Sequence, residues 1–177
     1  MDKLIQLLDL QKQIITAKNI DQFGFVLVNK LKELIAYDQS IFWLYETETV
    51  KLEKVSGNAV LDKNAPYAQW LKPILGKHIA TMQEDVVLPL DTNLLSEGET
   101  LDHKNFGGQH GVIVLLKSVN GDILGGVWLE RKKPWQEPEE KILEEFAVTA
   151  GQALNFLKVE KNKATFFSIF RPNKKRL

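Results

Sequence analysis

Cysteine is absent from the 177 residues. That gap excludes disulfides, thiolate metal sites and thiol nucleophiles together. Long apolar runs are missing too. Stretches such as Val112–Leu116 fall far short of the ~20 residues that cross a bilayer as a helix. The opening Met-Asp-Lys-Leu-Ile-Gln-Leu-Leu-Asp breaks its apolar residues with acids and amides and forms no signal-peptide core. Histidine occurs only three times, as His78, His103 and His110. A metal site would need His103, His110 and Asp102 to converge from one polar segment, and none is expected. No serine sits in a Gly-x-Ser-x-Gly elbow, so an activated hydroxyl nucleophile is not indicated. Gly107-Gly108-x-x-Gly111 lacks a following Lys-Ser/Thr and leads into a strand rather than a helix, so no phosphate-cradling loop is expected. The expectation is a non-catalytic chain without cofactor or metal, located in the cytoplasm.

What is present is ordinary globular material: 44% hydrophobic and 26% charged residues. A chain this long can bury one sizeable core. Formal charge sums to zero, but unevenly. Residues 158–177 hold seven of the 23 basic residues and one of the 23 acids, which leaves 16 basic against 22 acidic residues in 1–157. An acidic body repels nucleic-acid phosphates, so no nucleic-acid partner is expected. The division reads as one domain over 1–163 and a basic tail over 164–177.

Apolar periodicity predicts a helix over 3–18 and a second from an Asp21 cap to Tyr37. Ser40–Glu46 (SIFWLYE) is aromatic and β-branched. It reads as a strand with Phe42 and Leu44 on one face and Ile41, Trp43 and Tyr45 on the other. A turn at 47–49 returns the chain into a strand from Val50, whose alternation slips at Lys54-Val55, a bulge or the strand end. Ala65–Ile79 reads as a helix that Pro73 should kink or shorten and Gly76 could end. Val86–Leu90 reads as a short strand, and 91–110 as a long loop with one helical turn near 93–97. Residues 111–119 and 123–131 flank Asn120-Gly121, a strong hairpin signal. Gly125-Gly126 inside the second of these strands marks a bulge or a close backbone approach. Acids crowd the start of a last helix running to about Lys163. The hairpins argue for an antiparallel sheet with helices packed on it, the α+β class.

Two segments carry a family resemblance. The first is Gly111-Val-Ile-Val-Leu-Leu-Lys-Ser-Val-Asn-Gly-Asp-Ile-Leu-Gly-Gly-Val-Trp-Leu-Glu-Arg, followed by Trp135-x-Glu-x-Glu-Glu and Phe146-Ala-Val-Thr-Ala-Gly-Gln-Ala-Leu. The second is the helix pair that feeds SIFWLYE and Val-Ser-Gly. Over roughly residues 20–157 the pattern resembles a GAF domain. PAS is a near relative in architecture, and the long second helix favours GAF. The resemblance implies a regulatory or docking module whose terminal helices form a homodimer. Its alternative implication is a sensor holding a small molecule between sheet and helix. If Trp43 and Trp128 face the same side as Trp70, they line that pocket, with Tyr67, His110 and Glu130 as polar candidates; the competing reading is ordinary core and surface. Bilin attachment and thiol redox chemistry would need the missing cysteines. The Asn-Lys-x-x-Phe-x-x-x-Asp-Glu signature of cyclic-nucleotide-binding members is not met, because Glu33 and Tyr37 stand at its Phe and first acid after Asn29-Lys30. A weaker resemblance joins this domain and its Lys/Arg-rich exit to the cytoplasmic part of bacterial membrane-fusion (periplasmic adaptor) subunits of efflux or secretion systems. It implies a position on the cytoplasmic face of the inner membrane, with a span to follow. The other reading is a basic tail on a complete protein.

Overall fold

The computed structural model describes residues 2–57, 60–81 and 84–170. Five strands form one antiparallel sheet, β1 (Gln39–Glu46), β2 (Thr49–Val55), β3 (Val87–Pro89), β4 (His110–Lys117) and β5 (Ile123–Arg131). Their spatial order is β2-β1-β5-β4-β3. Five helices accompany them: α1 (Lys3–Ile15), α2 (Ile20–Lys30), α3 (Pro66–Ile79), α4 (Glu97–Asn105) and α5 (Glu137–Ile169). The α+β class read from the hairpins stands.

Strand side chains alternate between faces, and here both faces are covered. Phe42, Leu44, Val112, Val114, Leu116, Val127 and Leu129 meet the buried sides of α1, α2 and α5. Ile41, Trp43, Leu52, Ile113, Leu115 and Trp128 meet α3. The two predicted faces of SIFWLYE are the observed ones. The pairing of β1 with β2 shifts between Phe42 and Trp43, where Glu53 is the extra residue. This is the slip read near Lys54-Val55, and it is a bulge rather than a strand end.

Several expectations need correction. Asn19, not Asp21, caps α2, its side chain accepting from the Gln22 N–H. The helix gives way at Leu31–Glu33 to a 3-10 turn instead of reaching Tyr37. α3 passes through Pro73 and Gly76 without ending. The segment 91–110 is not a loop: a 3-10 turn at Thr92–Leu94 is followed by α4. α4 is too polar to show apolar periodicity, and it is started by a reciprocal capping box between Ser96 and Glu99. α5 continues to Ile169, so 164–169 is helix; the rest of the expected tail, beyond 170, lies outside the described residues. Gly125-Gly126 is a close approach, and the register shift of β5 against β4 falls beside it, at Leu124. A Cβ on Gly126 would stand 2.3 Å from the Trp43 ring, and one on Gly125 would stand 2.3 Å from the Trp43 carbonyl. Among the described residues, no helix is long and apolar enough to cross a membrane.

Candidate functional site

On the α3 side of the sheet, polar groups collect within apolar packing. Trp128 and Glu130 stand two apart on β5 and so share a face. Tyr67 and Trp70, one turn apart on α3, descend on them. His103 and Phe106 approach from α4 and its end. The Tyr67 hydroxyl donates to Glu130 Oε2 in a very close contact. It accepts from Trp128 Nε1 at 2.8 Å, and the same N–H lies 3.4 Å from Glu130 Oε2. Glu130 Oε1 stands 3.4 Å from His103 Nε2, within ion-pair reach, although that nitrogen makes no hydrogen bond. The His103 ring stacks flat on Trp70, centroids 4.9 Å apart. Trp70 Nε1 donates to the Glu99 carbonyl at 2.9 Å. Phe106 closes the cluster edge-on to Tyr67.

Burial makes these contacts consequential, because an unpaired polar group is costly in a low-dielectric interior. Glu130 is 4% exposed and His103 8%. Burial first, and then the Glu130 carboxylate with its hydrogen bond, push the Tyr67 phenol well above the usual tyrosine range. Tyr67 therefore stays a donor. The Trp128 ring is fixed from below by Gly111, where a Cβ would stand 1.9 Å from it. A second buried histidine, His78, ties α3 to the following segment. It accepts from the Asp91 N–H at Nε2 and places Nδ1 2.8 Å from the Ile74 carbonyl.

Of the six residues expected to line a pocket, Tyr67, Trp70, Trp128 and Glu130 come together. Trp43 lies on the same sheet face, diagonal to Trp128 across the β1–β5 pair, buried in the same core. His110 does not join them. It is exposed at the start of β4 and borders a groove of about 470 Å³ at the end of the sheet, whose wall also includes Thr92, Thr100, His103, Lys104 and Trp135. His103 is common to the groove and the cluster. It was missed as a site residue because α4 was missed. The Ser96-x-x-Glu99 box was the available signal, since it sets Glu99, His103 and Phe106 at i, i+4 and i+7 of one helix face. Among the described residues, no group of three or more His, Asp or Glu is arranged to hold a metal ion.

Residues 19–154 match the family model described as "GAF domain". The fold is similar to the crystal structure of the chromophore-binding domain of an unusual bacteriophytochrome from R. palustris, with a TM-score of 0.63 at 11% sequence identity. That likeness covers 89% of this chain and 62% of the other. No curated protein matches the chain.

Proposed function

The chain belongs to the GAF family, whose members are regulatory modules, and from that premise we propose that it is a non-catalytic cytoplasmic docking module that pairs two copies through α1 and α5. The observation that carries this reading is a second apolar stripe on each terminal helix, turned away from the core. Leu4, Leu8 and Ile15 on α1, and Val148, Phe156 and Val159 on α5, are all exposed. At 100° per residue, Leu4, Leu8 and Ile15 fall within about 40° of one another. The two helices pack side by side, joined across their seam by Gln11 Nε2 donating to Thr149 Oγ1 at 3.0 Å. An adjacent pair of outward apolar stripes suits a helical bundle with a second copy. Light scattering behind size exclusion tests this on the full chain. A dimer is expected, and Leu8→Lys with Phe156→Lys should give a folded monomer. A wild-type monomer at tens of micromolar would sink the proposal.

The groove at the end of the sheet supports a second reading, a small-molecule sensor. Small-molecule sites are concave and largely pre-formed. A ligand there would touch His103 and so reach the Tyr67–Glu130–Trp128 network. The R. palustris domain binds a chromophore; with no cysteine, this chain offers no thiol for covalent attachment. A saturable thermal shift that disappears in His103→Leu would support this reading.

A further inference from the structure

The last turns of α5 differ from the rest of the molecule. From Val159 to Phe170 every residue is exposed, so about 17 Å of helix, to Ile169, buries no side chain in the core. Within five residues at its tip stand Phe166, Phe167, Ile169 and Phe170, exposed by 57%, 68%, 70% and 66%. Phe166 packs on both of the other phenylalanines, 4.6 Å from Phe170 and 5.9 Å from Phe167 between ring centroids. Four bulky apolar side chains in water are an interaction surface.

Their arrangement selects the occupant. Phe166 and Phe170 share one side of the helix, but Phe167 and Ile169, two residues apart, lie on opposite sides. A partner helix covers a single stripe, so it would leave half of this tip in water. A medium that surrounds the tip covers all of it. Charge gives the second argument. After Glu160 the sequence contains no acid, but it contains Lys161, Lys163, Arg171, Lys174, Lys175 and Arg176. Residues 1–157 carry six more acidic than basic residues, so an anionic surface attracts this end and repels the body. An aromatic block flanked on both sides by Lys and Arg combines the two forces that hold a segment at a lipid interface.

We propose that the exposed end of α5, residues 161–170, binds the chain reversibly to anionic lipid bilayers, with the phenylalanine tip entering the acyl boundary and the basic residues of the sequence around it supplying the attraction to the headgroups. The inference is independent of the paired-copy reading, whose apolar stripe on α5 ends at Val159.

Co-sedimentation of the full chain with large unilamellar vesicles tests it, comparing pure phosphatidylcholine with a mixture containing about one-third phosphatidylglycerol. Binding to the anionic vesicles is expected to exceed binding to neutral ones by at least tenfold, and to weaken as salt rises. Phe166→Ser/Phe167→Ser/Phe170→Ser should abolish it with the thermal midpoint unchanged, since these side chains are exposed. Lys174→Glu/Lys175→Glu should abolish it separately. Equal binding to both vesicle types would overturn the proposal. So would full retention by the triple variant, which would reduce the tail to a general polyanion binder. A triple variant that binds vesicles normally but changes subunit number would assign the tip to a second copy instead.

Discussion

Two tyrosines are held in their protonated form by where they sit. Burial raises the Tyr37 phenol far above its usual range, with its hydroxyl donating to the Val28 carbonyl at 2.6 Å. Tyr67 is raised by burial and by Glu130. For both, the folded-state value lies above the unfolded value near 10. Their stabilisation is therefore intact below pH 10 and is lost as the pH climbs beyond it, because unfolding then releases protons. Tyrosinate absorbance at rising pH should thus show two of the three tyrosines silent until the protein unfolds; early titration of all three would refute the burial argument. The β1–β2 turn makes the opposite kind of residue-level statement. Thr47 and Glu48 both adopt left-handed backbone conformations, φ 48° and 59°, which a two-residue turn of this hand requires and neither side chain favours. Thr47→Asn with Glu48→Gly should stabilise the fold by about 1–2 kcal/mol in urea unfolding.

Among the elements, α5 shows how position outweighs propensity. Gly151 lies in its middle, where alanine would be the better helix former by about 1 kcal/mol. Yet a Cβ there would stand 2.5 Å from the Lys117 carbonyl oxygen and 3.0 Å from its nitrogen, on a strand that cannot retreat. Gly151→Ala should therefore destabilise by about 1–3 kcal/mol, lowering the thermal midpoint; a rise would mean that helix propensity wins. α4 depends on a different device. With Glu97, Glu99, Asp102 and Lys104 in nine residues it has little apolar face to bury, so the capping box matters more than usual. Ser96→Ala should cost about 1 kcal/mol and loosen the Trp70–His103 stack, visible as a change in tryptophan fluorescence. These two helices mark what the sequence made legible. α5, β1, β4 and β5 bury strong apolar patterns and declared themselves. α4 declared itself only through its cap. Pro73 does not shorten α3: the helix is packed against the sheet through Leu71, Ile74 and Leu75, and that packing outweighs the lost hydrogen bond. Alternation sets Trp43 with Ile41 and Tyr45, and helical spacing sets Tyr67 with Trp70, but that Trp43 and Trp128 share the side of the sheet that α3 covers depended on the strand register. That Tyr67, Glu130 and Trp128 would bond to one another, and that His110 would stand apart, depended on side-chain geometry set by distant segments.

At the scale of the whole molecule, the centre of the sheet joins residues far apart in sequence: Gln39–Leu44 pairs with Gly125–Glu130. Native-state hydrogen exchange should find the slowest amides in β1 and β5, because they are sheltered on both faces and both edges. Exchange from β1 as fast as from the edge strand β3 would contradict this. The same pairing has a temporal side. A growing chain can close the β1–β2 hairpin as soon as Val55 has been made, but the other edge of β1 stays open until residue 130 follows, 75 residues later. Closing so long a loop is entropically costly and slow. For that interval SIFWLYE, the most aromatic strand in the chain, stands ready to pair with any other edge it meets. This route to aggregation is open only during synthesis, at one identifiable segment, and it closes when β5 arrives.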